Sequence, residues 1–109
     1  HEGRTTIVGG RGTGTIATAS ADGVSFIGQT MAGLNGVFTL SDEQAFVAGE
    51  RGYSAIVDLS NGALEEMPIE TLDVMHTTLV TDTHLIAAGG NLFTSEATFH
   101  GSLFARERQ

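Results

Sequence analysis

Along the whole chain, short apolar runs alternate with polar breaks rich in glycine. The runs "TTIVG" (5–9), "FVAG" (46–49) and "LIAAG" (85–89) are each about five residues long. Apolar runs of this length, bounded by turn residues and enriched in Val, Ile and Thr, predict β-strands. One unit reads as four strands: Gly36–Leu40, Ala45–Gly49, Ser54–Asp58 and Leu64–Met67. A second reads as Met75–Val80, His84–Ala88, Leu92–Ser95 and Ser102–Arg106. A third, at the start of the chain, holds only Thr5–Gly9, Thr15–Ala19 and Ser25–Gln29, the counterparts of strands two to four. The best helical stretch is 63–75, and Pro68 interrupts it; a proline inside a helix removes a hydrogen bond and clashes with the preceding turn. No helix is expected.

The units repeat. At a spacing of 40, Arg11 matches Arg51, Gly12 matches Gly52, Ile16 matches Ile56, and Ala48-Gly49 matches Ala88-Gly89. At 39, Asp22-Gly23 matches Asn61-Gly62, and Gly62 matches Gly101. The stretch 36–42 matches 76–82, with Leu40 on Val80 and Asp42 on Asp82. Four antiparallel strands recurring at about 40 residues is the pattern of a β-propeller blade. The chain divides into a partial blade over 1–30, a second over 31–69 and a third over 70–109, about 2.75 blades in one propeller-type domain.

The turn "SADGVSF" (20–26) carries a more specific likeness. Ser20, Asp22, Gly23, Ser25 and Phe26 resemble the Asp-box of sialidase-like propellers. The stretch 36–62 resembles the blade of photosynthesis-assembly-factor-like proteins, in which a small-residue strand precedes a glycine-rich turn. The resemblance implies a structural turn at Ser20, Asp22 and Gly23, and a decayed copy at Asn61 and Gly62. In the third unit only Gly101 and Phe104 survive.

Composition narrows the function classes. The 109 residues carry a net charge of −8, with five Arg and no Lys. Such a chain repels phosphate backbones and lacks a polybasic membrane patch, so neither nucleic acid nor membrane is an expected partner. There is no cysteine, hence no disulfide and no thiolate metal site. That suits the cytoplasm and a bacterial exported protein equally. The chain opens on His1, which reads as a processed or excised end.

Candidate chemistry is sparse. "IVGGRGTG" (7–14) looks like a phosphate-binding glycine loop, but a strand-like stretch follows it, where the dinucleotide motif needs a helix N-terminus. Of the four His, only His76 and His84 could approach each other, with Asp82 as a third ligand at best; no metal and no cofactor are expected. The adjacent Glu65 and Glu66 should point to opposite faces of a strand, so no acid pair of the glycosidase kind is expected, and no catalytic residue is assigned. Arg11, Arg51 and Tyr53 fall on equivalent loops and form the candidate binding set. The expectation is a non-enzymatic binding or scaffolding module, with a fragment of a glycan-processing or lectin-like propeller as the alternative. Its ligand would be a glycan or a protein. Fewer than four blades cannot close a ring, so the chain is expected to be a homo-oligomer, a dimer completing the ring.

Overall fold

The computed structural model describes residues 3–91 and 100–108. Ten strands form three small antiparallel sheets, each drawn from one contiguous stretch of chain. The first sheet holds β1 (Thr5–Gly9), β2 (Gly14–Ser20) and β3 (Gly23–Thr30), in that order. The second holds β4 (Leu34–Thr39), β5 (Gln44–Gly49), β6 (Ser54–Asp58) and β7 (Leu64–Glu66). The third runs β8 (Val74–Val80), β9 (His84–Asn91) and β10 (His100–Glu107). Among the described residues there is no α-helix, and the stretch around Pro68 is irregular.

The sheets stack face to face in chain order. β4 packs on β1 and on β8, and β8 also packs on β5. Two apolar layers result. The first, between sheets one and two, holds Ile16, Leu34, Val47, Tyr53, Val57 and Leu59. The second, between sheets two and three, holds Phe46, Ala48, Met75, Leu85 and Ala87. The middle sheet is therefore covered on both sides. That is why β5 reads "AFVAG", with no polar alternation, and is buried from Ala45 to Gly49; a strand with two covered faces has no solvent side to keep polar. At the far edge of the first sheet, the start of β3 is exposed, with Val24 at 72% and Phe26 at 65%, while Ile27 packs against the first layer and Thr30 is buried.

The repeat is visible in backbone geometry. β4 and β8 each carry a bulge, between Leu34 and Gly36 and between Met75 and Thr77. Opposite each bulge lies a glycine. A Cβ on Gly49 would sit 1.9 Å from the Gly33 carbonyl oxygen, and one on Gly89 would sit 1.9 Å from that of Val74. A backbone approaching this closely excludes every side chain but glycine's hydrogen. The two crossings are the same structure made twice.

Two features differ from the sequence reading. First, Leu40 does not correspond to Val80. Thr39 pairs with Ala45 and Val80 with Leu85, so the first strands are 41 residues apart and the second strands 40. The connection after β4 is one residue longer than the one after β8, and the loop absorbs it. Second, the segment Ser102–Arg106, expected as a fourth strand, belongs to β10 and pairs directly with β9, in the third place of its sheet. Gly101, aligned with the turn glycine Gly62, pairs in mid-ladder with Gly90. A lone glycine marks a turn poorly, because it also fits a ladder. The expected strand Leu92–Ser95 lies outside the described residues.

Candidate functional site

The glycine loops after β1 and β5 meet at one end of the stack, and a single carboxylate joins them. Glu50 starts a short 3₁₀ turn, Glu50–Gly52, in which Arg51 takes a left-handed conformation at φ 51°. Its Oε1 accepts a 2.7 Å hydrogen bond from the Gly33 amide and a 2.9 Å one from the Gly12 amide. Its own amide donates to the Gly33 carbonyl at 2.9 Å. The Gly33 and Gly12 amides, with Arg51 and Arg11 nearby, hold the Glu50 carboxyl below its ordinary value.

This arrangement explains why "IVGGRGTG" looks like an anion-binding loop. The Gly12 amide does face an anion, and that anion is the chain's own Glu50. A strand, β2, follows the loop where a helix would be needed to seat a pyrophosphate.

The candidate set Arg11, Arg51 and Tyr53 separates in the fold. Arg11 and Arg51 are both exposed on the loop end, flanking Glu50. Tyr53 is not with them. It is 6% exposed, packs in the first apolar layer, and its hydroxyl donates to Glu66 Oε2 at 2.7 Å. Burial, and then the acceptor carboxylate, push its pKa up. Tyr53 follows Gly52, whose φ of 70° swings the chain inward. Being next to a loop arginine did not make it a loop residue.

The turn residues hold structure. Ser20 Oγ accepts from the Asp22 amide at 3.2 Å, so the serine caps the turn and Asp22 contributes a backbone donor. Gly23 and Gly62 have φ of 122° and 78°. Asn61 Oδ1 accepts from the Ala63 amide at 2.8 Å. Asp58 accepts from both the hydroxyl and the amide of Ser60, and these bonds lower its pKa.

A concave surface lies elsewhere, between the second and third sheets. A cavity of about 220 Å³ is floored by Phe46, Met67, Leu85 and Phe104. It adjoins a wider cleft of about 420 Å³ edged by Glu65, Glu66, Arg106 and Arg108. Met67, Leu85 and Arg106 line both. An apolar floor with a charged rim favours an amphipathic ligand: the floor gives affinity, the rim orientation. Phe104 and Arg106, two residues apart in β10, were the available signal for this cleft. It became useful only once β10 was placed beside β9. Glu50 could have been found as the acidic residue standing where the first unit has Gly10.

Among the described residues, no three His, Cys, Asp or Glu side chains group as metal ligands. No helix among them is long and apolar enough to cross a membrane. No family model matches the chain, and neither the curated proteins nor the solved structures contain a match to it.

Proposed function

We propose that this chain is a non-catalytic binding and scaffolding module built from propeller-type blades, whose ring is completed by a second copy. The observation that carries this reading is the uncovered outer face of the third sheet. Leu79, Ile86 and Ala105 are cross-strand partners, as are Thr77, Ala88 and Leu103, so these side chains share one face. Ile86 and Ala88 stand where Phe46 and Ala48 stand in the second sheet, 40 residues earlier. Phe46 and Ala48 are 3% and 0% exposed, because the third sheet covers them. Leu79 and Leu103 are 50% and 69% exposed. The face is built like a blade interface and lacks its next blade. The first sheet of a second copy fits there, since its own outer face is the one that takes a preceding sheet elsewhere in the chain.

The binding role rests on the cleft between the second and third sheets, whose apolar floor and mixed-charge rim suit an amphipathic peptide better than a polyanion. Binding is the role proposed for this cleft.

Sedimentation velocity of a Leu79→Glu, Leu103→Glu double variant tests the assembly. The expected outcome is a folded monomer where the natural chain is a larger species. An unchanged species in both would contradict the proposed face.

A further inference from the structure

The three second-position strands differ in one respect. β5 and β9 each have a bulged strand alongside, opposite Gly49 and Gly89. The equivalent glycine of the first unit is Gly9, 40 residues before Gly49. Among the described residues, β1 is the end strand of its sheet and pairs with β2 alone. A Cβ on Gly9 would meet nothing within 4 Å.

Gly9 thus has no conformational or steric need to be glycine within this chain. A glycine in a strand weakens it by leaving more freedom to lose on folding. At Gly49 and Gly89 that cost has a reason, a carbonyl 1.9 Å from where a Cβ would be. From this we infer that the open edge of β1 is an acceptor site for an extended polypeptide segment, pairing antiparallel to β1 with a bulge opposite Gly9. The inference rests on the propeller reading, because it takes the first unit to be a blade missing its first strand.

The chemistry of the occupant follows from the two strands that already fill equivalent sites. β4 presents Leu34-Asn35-Gly36-Val37-Phe38 and β8 presents Met75-His76-Thr77-Thr78-Leu79. Leu34 and Met75, opposite the glycine, are 2% and 0% exposed. The partner segment therefore carries a long aliphatic residue, one extra residue at the bulge, then a small or β-branched residue and a further large apolar one. Backbone hydrogen bonds along the edge supply the affinity, and the aliphatic position and the bulge supply the selectivity. β4 and β8 of a second copy are already paired within their own sheets, so the segment comes from another polypeptide stretch.

The test uses a fluorescent peptide with the sequence of residues 31–42, which spans β4, and measures its anisotropy on titration with the full chain. The natural chain is expected to bind it. The Gly9→Ala variant is expected to bind at least tenfold more weakly while unfolding at the same or a higher temperature, since its new methyl meets open space. Equal binding by both proteins, or binding by neither, would overturn the inference. Light scattering on the same samples separates the two ideas: a natural chain that stays monomeric yet binds the peptide loses the second-copy reading and keeps the acceptor edge.

Discussion

Three glycines at equivalent positions, Gly9, Gly49 and Gly89, stand in different surroundings, and the contrast fixes what each can tolerate. A methyl group on Gly49 or Gly89 would have to displace a carbonyl oxygen of the neighbouring strand 1.9 Å away. Forcing extra volume into a packed site costs about 1–3 kcal/mol. Gly49→Ala and Gly89→Ala are therefore expected to lower the urea midpoint markedly, whereas Gly9→Ala leaves it unchanged or raises it, by the equivalent of the ~0.5–1 kcal/mol of stability that a strand gains when glycine is replaced. Equal effects at all three positions would contradict the open surroundings of Gly9. Reading the sequence located these glycines but could not rank them, because the cost depends on a strand that arrives from 15 residues away. The same limit applied to Tyr53. Its neighbours Arg51 and Gly52 have the composition of an exposed loop, yet the positive φ at Gly52 turns the tyrosine into the core.

At the scale of the element, most strands and the pairing order of the first two sheets were legible, and the place of β10 was not. Short apolar runs and glycine breaks located β1, β5 and β6 almost to the residue, because those features are local. The place of β10 was decided by pairing: its eight residues find a full ladder with β9, and nothing in its own sequence says which edge it will join. The turn after β5 shows a second non-local dependence. Glu50 ties this turn to the loop after β1 and to Gly33 ahead of β4, and these bonds are stronger to the ionised carboxylate than to a neutral acceptor. A carboxyl held below its ordinary value adds stability that is complete above that value, 4.5, and is lost as pH falls through the lower value of the folded state. Urea midpoints measured at pH 7 and pH 3 should fall less in Glu50→Gln than in the natural chain. Identical falls would mean that the Glu50 bridge contributes nothing to the acid sensitivity of the fold.

For the whole molecule, three sheets stack in series with principal extents of 48 × 29 × 20 Å, and the proposed assembly uses both ends of the series. One end offers the bare edge of β1; the other offers Leu79 and Leu103 on a face that resembles a buried one. An apolar face left in water is an association site or an aggregation hazard, and a net charge of −8 opposes indiscriminate clumping without filling a specific interface. The strand count and the exposure of Leu79 and Leu103 both motivate the proposed association. The most direct check is the solution mass by light scattering at tens of micromolar chain. The account predicts twice the 11.3 kDa of the single chain, falling to one chain when Leu79 and Leu103 are both charged. A strictly monomeric natural chain that unfolds cooperatively and reversibly would contradict it.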